Sequence, residues 1–288
     1  MDFALVVLLE ALNAIAGLVL ISVGLAIIFG MMRVINLAHG EFLMLGGYAA
    51  IVATRAGVNI WLAMLVVAPV VVGLVGVAVE RCVVRFLYGR MVDTMLATWG
   101  LSLLLIGLVT MVFGNTTAGI SSPLGSVPIG AYRLSLYTLF VIAVAAAVLV
   151  GLWLLLKRTR FGLVARGTMQ NADMAAALGL APARTYAVTF GLGAALAGLA
   201  GGVLAPITGV VPTIGAAYVA KAFITVIGGG AAILAGTLSA STLFGTINQL
   251  ATFATTPVIG EVALLAAAIV LVRLLPQGIT GRFFRRSL

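Results

Sequence analysis

Leu139 to Leu156 reads LFVIAVAAAVLVGLWLLL, an unbroken apolar run with no charged side chain. A helix needs about 20 such residues to cross a bilayer. In lipid every backbone N–H and C=O must be paired within the structure, so only helices and closed barrels span. A barrel strand alternates apolar and polar over about ten residues. This run does not alternate, so it is read as a helix. The whole chain is of the same kind: 63% of its 288 residues are hydrophobic and 8% are charged, against about 25% charged in a soluble domain.

Apolar segments stand at roughly 4–30, 40–55, 59–80, 94–113, 135–156, 185–204, 216–230, 232–253 and 259–275. The fold class expected is an all-α polytopic membrane protein in one domain, 1–288, with about eight to ten transmembrane segments. The second and seventh segments are too short for a straight crossing and are bounded by glycine or proline, which marks broken helices. MDFALVVLLE has no basic stretch before its apolar run, so it reads as an uncleaved first span and not a signal peptide.

The basic residues set the orientation. Of sixteen, twelve fall on one face: Arg33, then Arg81, Arg85 and Arg90, then Lys157, Arg158, Arg160, Arg166 and Arg184, then Arg282, Arg285 and Arg286. Arg55 and Arg133 fall on the other. The positive-inside rule makes the richer face cytoplasmic, with the N-terminus outside and the C-terminus inside. Nine crossings fit that arrangement. The basic residues flank apolar runs and form no long cluster, so nucleic acid is excluded as a partner and lipid is the surrounding. Segment one, a polar corner, a short segment and two spans recur in opposite orientation from segment six, whose corner carries Pro206 and Pro212. Inverted repeats with broken helices characterise transporters.

Polar residues inside this layout are few. GMMRVINLAHGEFLMLGGYAA, from Gly30, holds Arg33, Asn36, His39 and Glu41. Asn36 is placed to cap a helix end and Glu41 lies in a first turn, where the helix dipole favours negative charge. Capping and packing at a re-entrant bend is one reading; a gate or proton relay of His39, Glu41 and Arg33 is the other. Lys221, on the second short helix, has the length to snorkel to the outer surface; the alternative is a polar pathway. Glu10 and Asn13 share one face of the first helix. Gly228 and Gly229 close the second short segment. Asn13, Asn36, His39, Glu41, Lys221, Gly228 and Gly229 are the pathway or gate candidates.

KRTRFGLVARGTMQNADMAAALGLAPART, starting at Lys157, is the longest polar segment, and the loop is set at 157–184. Within it NADMAAALGL reads as a short helix, with Asn171 as N-cap, Asp173 in the first turn and Gly179 as the stop before Pro182. Its apolar face, Met174, Ala177 and Leu178, is suited to docking in another protein's groove; lying on the membrane surface is the alternative.

The chain contains no G-x-x-x-x-G-K-[ST]: GGGAAILAG lacks the phosphate-reaching lysine. It also lacks H-E-x-x-H and G-x-S-x-G, and one histidine with one cysteine makes no Cys/His metal cluster. No enzyme activity, metal or cofactor is expected of it. A proton-driven secondary transporter is the rival class, with Glu10, Glu41 and Glu261 as its candidate buried acids.

INLAHGEFLMLGGYAA resembles the N-terminal signature of the branched-chain amino acid ABC transporter permeases of the LivH type. RGTMQNADMAAALGL resembles that family's cytoplasmic coupling segment, and PTIGAAYVAKAFITVIGGGAAILAGTLSASTLFGTI its glycine-rich C-terminal block. Ala231 and Ala232 stand where the family has glycine and serine or asparagine, which leaves urea and short amides open as substrates beside branched-chain amino acids. The resemblance implies a bacterial inner-membrane permease. Its implied partners are a second homologous permease or a second copy, two ATP-binding subunits and a periplasmic binding protein. It makes the short helix the ATPase contact, with Arg166, Gln170, Asn171, Met174, Ala176, Leu178 and Gly179 as coupling residues.

Overall fold

The computed structural model describes residues 2–129, 132–230 and 232–283. Ala231, Arg285 and Arg286 lie outside them. All nine apolar segments are helical. In order, α1 is Asp2–Met32 and α2 His39–Arg55. α3 (Ile60–Leu62) runs through a π-helical turn, Ala63–Val67, into α4 (Ala68–Cys82) as one continuous helix. α5 is Met91–Phe113 and α6 Leu136–Arg158, separated by a hairpin of β1 (Ser126–Ile129) and β2 (Tyr132–Ser135) with Val127 opposite Leu134. Two short helices follow, α7 (Arg160–Gln170) and α8 (Ala172–Ala177). The second half is α9 (Pro182–Thr208), α10 (Ile214–Gly229), α11 (Ile233–Ala254), α12 (Pro257–Leu274) and α13 (Gly278–Phe283).

Six of the helices are long and apolar enough to cross a membrane, and α10 with α11, bent by 113° at their junction, makes up to a seventh. That is fewer than the nine crossings expected. The difference lies in α2 and α10, which have 17 and 16 residues and do not cross straight.

α1 and α9 form the buried centre. Contacts exchange between the halves: α9 packs on α4 as α11 packs on α1, and α2 on α9 as α10 on α1. α1 meets α9, and α2 meets α10, between the halves. This is the inverted arrangement read from the segment pattern.

Two details depart from expectation. Pro206 lies inside α9, near its end, and not in the corner; the helix runs to Thr208 and stops at Gly209, at φ +64. The opening of the 157–184 loop is not irregular. It folds as α7, capped by the Thr159 hydroxyl accepting from the Gly162 N–H at 3.1 Å, with Gly162, Ala165 and Thr168 buried.

The loop before α5 is tied down through Tyr88, whose hydroxyl donates to the Glu80 carboxyl and whose ring lies 4.9 Å from Tyr186 of α9. Burial first, and the Glu80 hydrogen bond second, push the Tyr88 hydroxyl far above the ordinary tyrosine range.

Candidate functional site

The junction of the two broken helices is built from the polar stretch around His39. After α1 ends, Arg33 turns the chain at φ +52, and residues 34–38 run back alongside α1. His39 then sits beside Ile21, eleven residues before the end of α1, or about 16 Å up the helix at 1.5 Å per residue. The His39 Nε2–H donates to the Ile21 carbonyl at 2.9 Å. α2 therefore starts beside the middle of α1 and not at its end.

α10 starts at the same place. Gly40 and Gly215, each near the N-terminus of its short helix, lie backbone to backbone, and a Cβ on either would collide with the other strand of chain. Two helix N-termini thus converge inside the membrane body, each presenting the positive end of its dipole. Broken helices that end at the midplane are how such proteins offer polar groups without fixed charge.

Asn36, His39 and Glu41 are all fully buried here. Asn36 does not cap α2 as expected: the N-cap position is Ala38, without a side-chain cap. The Asn36 Oδ1 instead accepts from the Ala38 N–H at 3.1 Å, a local turn that aims the chain into α2. Glu41 is in the first turn of α2, as read from the sequence. The relay of Arg33, His39 and Glu41 is not assembled, because Arg33 is exposed at the turn and His39 is engaged with Ile21. The Asn36 Nδ2, His39 Nδ1 and Glu41 Oε2 atoms are buried without a hydrogen-bond partner.

Thr98 of α5 holds the returning segment. Its Oγ1 accepts from the Leu37 N–H at 3.1 Å and lies 3.3 Å from the Ile35 carbonyl. Thr98→Val is expected to leave that N–H unpaired and lower stability by about 1–3 kcal/mol. Thermal melting in detergent checks it, with Thr98→Ser keeping wild-type stability. Nothing in the sequence pointed to Thr98, since threonine on an apolar helix most often bonds its own backbone.

Lys221 is paired with a residue of another helix. Its Nζ is 2.6 Å from the Glu261 Oε1 of α12, four residues after the start of that helix. The pair borders a cleft of about 150 Å³ together with Ala14, Leu18, Ile21 and Asn248. Asn13 lies one position before Ala14 on α1 and is half-buried. Gly228 and Gly229 lie elsewhere. They pack at the α10–α11 bend, where a Cβ on Gly229 would strike the Gly236 backbone, and the Thr280 hydroxyl donates to the Gly229 carbonyl at 2.5 Å.

The seven loop candidates, Arg166, Gln170, Asn171, Met174, Ala176, Leu178 and Gly179, are all exposed. Asn171 caps α8, its Oδ1 accepting from the Met174 N–H at 2.9 Å, and Gly179 stops it at φ +81. Leu163 and Met169 of α7 are exposed too, as are Met174 and Leu178. Ala175 is buried and anchors the helix from beneath.

A helical membrane body with two broken helices meeting at its centre, and a helical apolar surface on one end, is a membrane permease subunit. The family described as branched-chain amino acid transport system / permease component matches residues 7–275, and the chain belongs to it. Similar proteins include the probable branched-chain amino acid transport permease protein LivH of Methanocaldococcus jannaschii, 28% identical over 92% of this chain and 88% of that one. The high-affinity branched-chain amino acid transport system permease protein LivH of Escherichia coli K12 is 27% identical over 91% of each chain. BraD of Pseudomonas aeruginosa, described in the same words, is 28% identical over 91% of each. Among solved structures, PsaBC from Streptococcus pneumoniae in complex with Fab has a TM-score of 0.53 at 12% identity, over 92% of this chain and 91% of that chain, a likeness of fold.

Proposed function

We propose that this chain is the membrane-spanning subunit of an ATP-driven importer that carries branched-chain or related hydrophobic amino acids across the bacterial inner membrane. The observation that carries the reading is the family match over residues 7–275. In this reading the N-terminus is outside and the end bearing α7 and α8 is cytoplasmic, in keeping with its basic residues. Two ATP-binding subunits dock on α7–α8. A second homologous permease, or a second copy, completes the pathway, and a periplasmic binding protein delivers the substrate.

The mechanism is alternating access. ATP binding draws the two motor subunits together, and α8 carries that movement into α9, which it precedes by a few residues. α9 crosses α2 and α1 through glycine contacts, so a shift of α9 reaches the junction of the two broken helices directly. Packed helices of this kind have discrete arrangements and do not deform continuously.

The test is uptake of radiolabelled leucine by proteoliposomes holding the full complex and loaded with ATP. ATP-dependent uptake that survives a protonophore is expected. Uptake that persists without the ATP-binding subunits, or that stops with the protonophore, overturns the reading in favour of a proton-driven carrier.

A further inference from the structure

Among the described residues, Lys221–Glu261 is the ion pair that joins two helices of the membrane body; the other, Arg90–Asp93, lies within one exposed turn. Charge inside a bilayer is rare and marks substrate or ion pathways. The pair is not sealed. The Lys221 and Glu261 side chains are 26% and 46% exposed, and they open on the cleft of about 150 Å³. An apolar cavity of about that volume holds benzene in another protein, so an aliphatic side chain has room.

The cleft has two kinds of wall. Ala14, Leu18 and Ile21 lie along one face of α1, and Leu264 adds to them from α12. Lys221, Glu261 and Asn248 line the same cleft. An α-amino acid carries the matching set on one carbon: a carboxylate for Lys221, an ammonium for Glu261 and an apolar side chain for α1. Inserting it exchanges one ion pair for two, and the cleft stays neutral throughout. A neutral amide or urea supplies neither charge, so it could enter between the two side chains only by parting the ion pair without replacing it.

The cleft is also wired to the centre of the molecule. Ile21 lines it, and the Ile21 carbonyl is the acceptor for His39 at the start of α2. Movement at the junction of the broken helices therefore displaces the cleft wall.

We propose that Lys221 and Glu261 are the charge-recognition residues for the amino and carboxylate groups of the transported amino acid, with Ala14, Leu18 and Ile21 as its side-chain pocket. This rests on the amino-acid importer reading above. It assigns substrate class to the chain itself: zwitterionic aliphatic amino acids are taken, and urea and short amides are refused.

The test uses photo-leucine, a diazirine amino acid with both charges intact. The complete importer in nanodiscs is irradiated with it and the adducts are mapped by mass spectrometry. Adducts are expected between Ala14 and Ile21 or at Leu264, suppressed by excess leucine and untouched by urea or isobutyramide. Lys221→Met and Glu261→Gln should each cut this labelling by about ten- to a hundredfold, the loss of one charged hydrogen bond. The exchanged variant, Lys221→Glu with Glu261→Lys, restores the link between α10 and α12 with the charges reversed. It should keep the melting temperature and lose the labelling.

An exchanged variant that labels and transports like wild type shows a mere staple and overturns the assignment. So does labelling of α1 undiminished in Lys221→Met, or labelling confined to another surface, while wild-type leucine uptake stands. A wild-type complex that imports no amino acid overturns the importer reading itself.

Discussion

Replacing Ala176 with arginine and Leu178 with aspartate together is expected to abolish ATP-driven uptake while the protein still inserts and folds. Both positions are exposed, Leu178 by 75%, so neither change disturbs internal packing. Each puts a charge into a surface whose apolar groups, Met174 among them, have no cover among the described residues. Anchor residues in docked interfaces contribute about 2–4 kcal/mol each, so losing one lowers motor affinity by about thirty- to a thousandfold. Gly179 is deliberately left alone: at φ +81 any side chain there would add backbone strain to the loss of docking. Co-purification of the ATP-binding subunits and uptake in proteoliposomes are the measurements. Wild-type uptake by the double variant would remove α8 from the coupling path.

Gly201→Ala is expected to produce the largest loss of stability among single conservative changes. α2 and α9 cross with backbone against backbone: a Cβ on Gly201 would strike the Leu43 carbonyl, and one on Gly46 would strike Gly198. Within a bilayer no hydrophobic force draws helices together, so close approach at small residues supplies the packing. One methyl group at that crossing separates the helices that hold the junction of α2 and α10 in place. Overpacking costs about 1–3 kcal/mol or more. Gly107→Ala is the control. A Cβ there meets nothing within 4 Å, and alanine is the better helix former by about 1 kcal/mol. Melting of the detergent-solubilised protein should fall clearly for the first and hold or rise for the second; equal melting would mean the crossing is not tight.

Much of the architecture was legible because a bilayer leaves so few options. The nine apolar segments are all helices, and the two short ones are the two that do not cross. The α8 cap was legible to the residue, since Asn171, Asp173 and Gly179 are local chemistry: a side chain reaching the backbone three positions on, and a glycine that accepts a left-handed turn. α7 was missed because its arginines and glycines mask a helix whose buried face, Gly162, Ala165 and Thr168, is made of small residues with little apolar signal.

The pathway candidates divide in the same way. His39 and Glu41 stand out in sequence as polar residues among apolar ones, but not their depth. That depends on the chain doubling back at Arg33, which no local pattern requires. Lys221 was expected to reach for the headgroups because a lysine alone in a helix has only that escape. Glu261 lies 40 positions away, and only the packing of α10 against α12 brings it within 2.6 Å.

The sequence by itself determined that this is a helical membrane body, which segments are helices and that a short helix capped by Asn171 lies in the longest polar segment, because each follows from local capping chemistry or from the cost of exposing polar backbone to hydrocarbon. Tertiary structure alone decided that two helix starts meet beside the middle of α1 and that a lysine and a glutamate from distant helices line one cleft. Those are contacts between parts far apart in the chain, fixed by which glycines let two backbones touch.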